Sequence, residues 1–289
     1  MQAYLNVIKT VLKLGKKKDP SDIKTTTGRK GVPTISYFGM HYKIDLNDGF
    51  PLLTTKKINF DLVLRELLWF LSGETHIRNL RKHTKIWDDW TGPEKNWSLG
   101  RTYGAQWVKW EQYLKKPNSN QCKIRHINQI QDVIDRLKND PYSRRMVVSA
   151  WNPADFNRPE NDAKRTVQPS ACHTLFMFYV TPDRKLCCHL TQRSGDVMLG
   201  IPFNIASYAT LTQMLAQECS LKLGEFSHYI NDCHIYENHV DGAKEQLTRL
   251  PYPLPRLKIA KKPFWKLKFE DFEIVDYKHH PFIKFDIAV

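Results

Sequence analysis

No stretch of the 289 residues approaches the roughly 18 uninterrupted apolar residues that a membrane-crossing helix requires, which leaves an aqueous protein as the expectation. A cleaved leader is not expected either. In "MQAYLNVIKTVLKLGKKK" the polar Asn6, Lys9 and Thr10 break any apolar core, and no small-residue cleavage site follows. The stretch reads as an amphipathic first helix with Leu5, Ile8, Val11 and Leu12 at helical spacing, its lysines in water and Gly15 as its stop. Cysteine is sparse for this length, and Cys122, Cys172, Cys187, Cys188, Cys219 and Cys233 fall within apolar patterns rather than loops. This excludes a disulfide framework and points to free thiols in a reducing cytosol. There is no Cys-x-x-Cys pair, and His234 and His239 lack further ligands nearby, so no metal site is expected. Internal repeats, low-complexity tracts and long linkers are also missing. One compact unit over residues 1–289 is therefore expected, with an irregular, proline-containing C-terminal part. No Gly-x-Gly-x-x-Gly follows a strand and there is no strict βαβ rhythm, which argues against a doubly wound nucleotide fold.

The chain does have apolar periodicity and positive charge. A hydrophobic content of 41% with 12% aromatics is enough for a sizeable core. Strands are expected in "TISYFGMHYKIDL", "MVVSAW", "TLFMFYV" and "KLCCHLTQRS", where Cys187 and Cys188 should face opposite sides. Helices are expected in "FDLVLRELLWFL", ended by Gly73, and in "INQIQDVIDRLKNDP", with Ile127, Ile130, Ile134 and Leu137 on one face. Together these predict an α+β fold with a mixed β-sheet packed by helices. The formal net charge of +14 suits an anionic partner, whether a phosphorylated substrate, a polyanionic cofactor or nucleic acid. The lysines cluster in "GKKKD", "YLKKPN" and "IAKKPFWKLK", which read as solvated loops and edges.

Several residues carry two readings each. Glu66, inside an apolar helix, is either paired with a cation such as Arg65 or a proton-managing carboxylate in a water-poor cleft. Asn204 lies where a helix should begin, so it is an N-cap or a ligand-reading amide. Arg193 is an ion-pair partner or an anion ligand, and Arg144 with Arg145 is an exposed loop pair or a phosphate clamp. Cys172, beside a histidine in "QPSACHTLFMFYV", is a packed thiol or a nucleophile.

Taken together, "RELLWFLSGETHI", "IWDDW", "YGAQW", "DPYSRRMVVSAWNP", "CHTLFMFYV", "QRSGDVMLGIPFNIASYA" and "DCHIYENH" resemble the thymidylate synthase family of the folate-dependent, cysteine-nucleophile type, in order from about residue 2 to the terminal "IAV". The resemblance implies a cytoplasmic homodimer, paired through the sheet, that methylates dUMP with 5,10-methylenetetrahydrofolate to give dTMP and dihydrofolate. It makes Cys172 the nucleophile at uracil C6, with Glu66, Tyr103, Arg193 and Asp196 assisting catalysis. For dUMP it implies Arg29, Gln192, Arg193, Ser194, Gly195, Asp196, Asn204, His234 and Tyr236, together with Arg144 and Arg145 reaching into the neighbouring subunit's site. For folate it implies Asn59, Ile86, Trp87, Asp196, Gly200, Phe203 and Ala288. The chain departs from the family pattern at Pro169-Ser170-Ala171, at Arg101-Thr102 and at Asn59, around the place where a methylene is either reduced to methyl or captured by water. A dUMP hydroxymethylase on the same scaffold is the nearest alternative, and Trp87, Trp90 and the terminal "IAV" favour the methyl product. A basic nucleic-acid-binding protein is the alternative from another class; it requires aromatics among the lysines, which only "KKPFWKLK" offers.

Overall fold

The computed structural model describes residues 1–19, 32–117, 121–155 and 170–286; Arg29, Pro169 and Ala288 lie outside them. In chain order the elements are α1 (Gln2–Leu14), β1 (Lys16–Lys18), β2 (Thr34–Asp45), α2 (Phe60–Ser72), α3 (Tyr103–Lys109), β3 (Trp110–Lys115), β4 (Cys122–Ile127) and α4 (Gln129–Asn139). They continue with β5 (Val147–Ser149), β6 (His173–Val180), β7 (Lys185–Asp196), α5 (Gly200–Glu218), β8 (Lys222–Tyr236), α6 (Val240–Thr248), β9 (Arg256–Ile259) and β10 (Phe272–Val275). Six strands form one mixed sheet in the order β1-β2-β8-β7-β6-β5, and β3-β4 and β9-β10 are separate hairpins. Every pairing in the large sheet is antiparallel except β7 with β8, whose crossover is α5. The architecture is the α+β class read from the sequence. No helix among the described residues is long and apolar enough to cross a membrane.

Alternation along the strands divides the sheet into two faces. Met40, Tyr42, Phe176, Phe178, Cys188, Leu190, Phe226, His228 and Ile230 are buried on the face covered by α1 and α5. Leu175, Met177, Cys187 and His189 alternate with them on the other face and keep accessible surface, as Tyr179 does at 60%. Cys187 and Cys188 thus face opposite ways, as expected, and the six cysteines are unpaired thiols. Helix α5 is buried around nearly its whole girth, with Tyr208 edge-on to Trp107 and Phe176 and stacked on Phe226. Each fully buried apolar side chain contributes about 1.5–3 kcal/mol, so the sheet-helix seam supplies a large share of the driving force.

The ends of elements differ from the sequence reading in informative ways. Helix α1 stops at Gly15 without a left-handed cap; a Cβ there would sit 2.4 Å from the Val11 carbonyl oxygen and 2.6 Å from the Ile35 side chain, so close packing excludes a side chain. Ile127 belongs to β4, and α4 begins after it with Asn128 as cap, its Oδ1 accepting the Gln131 N–H at 2.9 Å. The described part of "YLKKPN", residues 113–117, enters the exposed β3-β4 hairpin. "GKKKD" supplies β1, a charged edge strand in which Lys17 and Lys18 pair with Glu237 and Asp232.

Candidate active site

Three strand ends meet at one rim of the sheet. Cys172 immediately precedes β6, Arg193 lies near the end of β7, and Asp196 at that end is in register with His234 on β8. Arg193 holds the segment that leads to the cysteine: its Nε donates to the Ala171 carbonyl at 3.0 Å and its Nη2 to that of Ser170 at 2.8 Å. Its backbone N–H donates to the Cys172 carbonyl at 2.9 Å. Cys172 in turn donates its own backbone N–H to Tyr103 Oη at 2.8 Å. The residue keeps some accessible surface although its thiol lies deep. That partial exposure separates it from the buried Cys188, Cys219 and Cys233. Burial pushes the Cys172 thiol above its usual pKa, while the Arg193 charge and the Tyr103 hydroxyl pull the other way without overcoming it.

The opposite wall comes from α2 and α3. Asn59 caps α2, its Oδ1 accepting the Asp61 N–H at 3.1 Å, and Gly73 ends the helix in the left-handed region at φ 67°. Helix α3 lies against α2 so closely that a Cβ on Gly104 would be 2.2 Å from the Phe70 carbonyl oxygen. This contact brings Tyr103 over Phe70, with ring centres 5.0 Å apart, and within 6.1 Å of Trp87. Glu66 faces this aromatic wall. Its Oε1 accepts the Trp87 indole N–H at 2.8 Å, and burial raises its pKa to about 7. The pairing with Arg65 does not form, because that guanidinium lies over the Phe269 ring at 3.8 Å. Trp90 stands 5.4 Å from Trp87, and Ile86 packs beside them against the core.

Between the two walls lies a buried amide pair. Gln192 Nε2 donates to Asn204 Oδ1 at 3.1 Å and to the Ser194 carbonyl at 2.8 Å. Asn204 is not an N-cap. Helix α5 begins at Gly200, four residues earlier, and Pro202 fits its first turn, where no N–H is needed. The cap work falls to Asp196, whose Oδ1 accepts the Met198 and Leu199 N–H groups at 2.8 and 3.2 Å. Its other oxygen accepts no bond among the described residues, so the rim keeps a free acceptor. Gly195 is tightly enclosed, Gly200 opens α5, and Phe203 is half-buried against the core. His234 and Tyr236 lie on one side of β8 with ring centres 5.1 Å apart, and His234 Nδ1 is 3.4 Å from Asp232 Oδ1.

Arg144 and Arg145 stand exposed ahead of β5, apart from the Cys172 rim, and neither forms an ion pair among the described residues. A cavity of ≈ 280 Å³ beside Arg145 is also lined by Arg136 and Asp132, and Cys172 is not part of its lining. Arg101, one of the departures, is a structural hub that ion-pairs with Asp155 at 2.9 Å and with Glu111. Sequence reasoning missed Lys56. Its ammonium is buried, donates to the Met198 carbonyl, lies 4.5 Å over the Phe285 ring, and has a pKa lowered to about 7 by burial. Nothing in "TTKK" separates it from exposed Lys57. Among the described residues no group of three or more His, Cys, Asp or Glu is arranged to hold a metal ion.

Comparison with known proteins follows the same outline. The sequence model of the family described as thymidylate synthase matches residues 2–289. A thymidylate synthase of Francisella philomiragia is 45% identical over 297 residues, spanning 100% of both chains. One from Buchnera aphidicola is 46% identical over 292 residues, again across 100% of each.

Proposed function

Because this chain belongs to the thymidylate synthase family along its whole length, we propose a division of labour among its own side chains for the family's reaction. The enzyme is a methyltransferase that converts dUMP to dTMP. Residues 1–289 are taken as one catalytic domain, a reading supported by the continuous core cluster running from Tyr4 to Phe285.

The observation that carries the assignment is Cys172, partly open just before β6, between Tyr103 and a loop gripped by Arg193. Its thiolate adds to C6 of the uracil, and the C5–C6 π pair moves toward C5 and O4. C5 then takes up the one-carbon unit. When the C5 proton leaves, its electron pair forms a double bond to the one-carbon unit as that unit's bond to nitrogen breaks. Hydride addition to that carbon restores the C5–C6 double bond and expels sulfur. Methylenetetrahydrofolate supplies the one-carbon unit and the hydride that complete the methyl group. Glu66, with a pKa near neutrality, exchanges protons at this end of the base, and Tyr103 holds the nucleophile's backbone. Gln192, Ser194, Gly195 and Asn204 face the pyrimidine, His234 and Tyr236 the deoxyribose, and Arg193 with Arg29 the phosphate. For the folate, Trp87 and Ile86 offer apolar wall, Asp196 its free acceptor, Gly200 and Phe203 the start of α5, and Asn59 and Ala288 the outer contacts; the aromatic wall and unused carboxylate oxygen suit a flat, hydrogen-bonding ring. The test is the product: dUMP with methylenetetrahydrofolate should yield dTMP and dihydrofolate, whereas hydroxymethyl-dUMP with tetrahydrofolate would replace the reductive reading.

A second copy of the chain completes the site in this reading. Among the described residues no helix covers the sheet face bearing Leu175, Met177, Tyr179 and His189, and Arg144 and Arg145 are exposed for reaching across. Mixing inactive Cys172→Ser chains with inactive Arg145→Ala chains should restore about a quarter of full activity, since half of randomly assorted dimers carry one intact site of two. No recovery would rule out sharing. The six unpaired thiols support a reducing, cytoplasmic location, which cell fractionation would check.

A further inference from the structure

An amide reads a base only if its oxygen and nitrogen are held the right way round. Donor and acceptor ends of Asn204 are nearly the same shape, so partners decide the orientation. The partners extend well beyond Gln192. Tyr42 on β2 and His228 on β8 are in register across the sheet, both buried on the helix-covered face. Tyr42 Oη lies 2.7 Å from His228 Nδ1, and His228 Nε2 lies 3.0 Å from Gln192 Oε1.

The direction of donation along this chain is fixed by elimination. Gln192 Nε2 faces the Ser194 carbonyl, which can only accept, so the amide nitrogen must be there and Oε1 must face His228. Oε1 can only accept, so His228 Nε2 carries the hydrogen. Burial holds the His228 ring well below its ordinary pKa, reinforced by His173, His189 and His41, and a neutral imidazole has a single N–H. Nδ1 is therefore bare and needs a donor, which the Tyr42 hydroxyl supplies. Protons point from Tyr42 to His228 to Gln192 to the oxygen of Asn204. A reversed Asn204 would set its NH2 against that of Gln192. In the held orientation, and with His173 also bonded to the amide, Asn204 presents an oxygen lone pair and an N–H toward the ligand, the complement of uracil N3–H and O4.

We infer that Tyr42 and His228 are positioning residues that set the polarity of the Asn204 amide and thereby the preference for uracil over cytosine. This rests on the proposed base-reading role of Asn204. Removing the Tyr42 hydroxyl leaves Nδ1 unsatisfied or lets the ring move its hydrogen to Nδ1. In the second case two lone pairs meet at Gln192 and its amide loosens.

The experiment compares dUMP and dCMP dissociation constants, together with turnover at saturating dUMP, in the parent and in Tyr42→Phe, His228→Leu, His228→Gln and Asn204→Asp. Tyr42→Phe and His228→Leu should cut the dUMP-to-dCMP affinity ratio about threefold to tenfold, the worth of one hydrogen bond, with turnover little changed. His228→Gln, which can still present an N–H toward Gln192, should keep the ratio within about twofold. Nitrogen-15 shifts should show the Nε2–H form of His228 in the parent and a smaller share of it in Tyr42→Phe. If Asn204→Asp changes the ratio and Tyr42→Phe does not, the relay is overturned while base reading by Asn204 stands. If Asn204→Asp changes nothing, base reading and the relay fall together. Should His228→Leu fail to fold, Tyr42→Phe, lacking a single oxygen, still decides the question.

Discussion

Cys172→Ser chains will bind dUMP and turn almost none of it over. The substitution leaves the backbone N–H to Tyr103 and the Arg193 bonds to residues 170 and 171 in place, so the rim keeps its shape. What changes is the attacking atom. A serine hydroxyl ionises far less readily than a thiol and is a harder nucleophile toward a conjugated carbon. Burial already raises the Cys172 pKa, which leaves little margin for a weaker acid. The rate should fall at least about 10³-fold, equivalent to about 4 kcal/mol at the transition state, with the dUMP dissociation constant moving little. Mass spectrometry with a 5-fluorinated nucleotide gives an independent reading. The parent should trap a covalent adduct through Cys172, and the variant should trap none. Appreciable turnover by the serine chain would remove the nucleophile assignment.

The second large effect concerns Glu66. Replacing it by Gln keeps the shape and a possible contact with Trp87 but removes the exchangeable proton, so activity should drop about 10²–10⁴-fold, the range for losing a general acid or base. The pH profile should change too. With a pKa raised from 4.5 to about 7, parent activity should show an inflection near neutrality that Glu66→Gln lacks. Stability gives the same group a second signature. Between pH 4.5 and about 7 the unfolded chain has released this proton and the folded chain still holds it, so parent stability should fall as pH rises through that window. The slope should be shallower in Glu66→Gln. Denaturation at several pH values measures it, and an unchanged inflection in the variant would assign the titration to another group.

Where periodicity is strong, the sequence was a good guide. Alternation in "KLCCHLTQRS" gave β7 with both faces correct, and the apolar run before Gly73 gave α2 with its stop. The start of α5 was harder, because Gly200 and Pro202 resemble loop residues when nothing shows that the first helical turn needs no N–H donor. Pairings between distant residues were beyond pattern reading. Glu66 had Arg65 as its obvious neighbour, yet its partner is Trp87 and Arg65 stacks on Phe269. Tyr42 and His228 are 186 positions apart and meet only through the β2-β8 register. For the site, the resemblance named residues that residue-by-residue reading left undecided. It passed over His228 and Lys56, whose significance comes from burial.

Gly104 shows how little clearance separates α3 from α2 in the wall that faces the Cys172 rim. Glu66 on α2 and Tyr103 on α3, whose hydroxyl accepts the Cys172 N–H, are joined where α3 rests on the Phe70 carbonyl with room for a hydrogen atom. A methyl group there would act as a wedge, prising sulfur and carboxylate apart without touching either. The spacing of the reactive pair is thus gauged by a backbone-to-backbone contact outside the chemistry, and position 104 works as a shim.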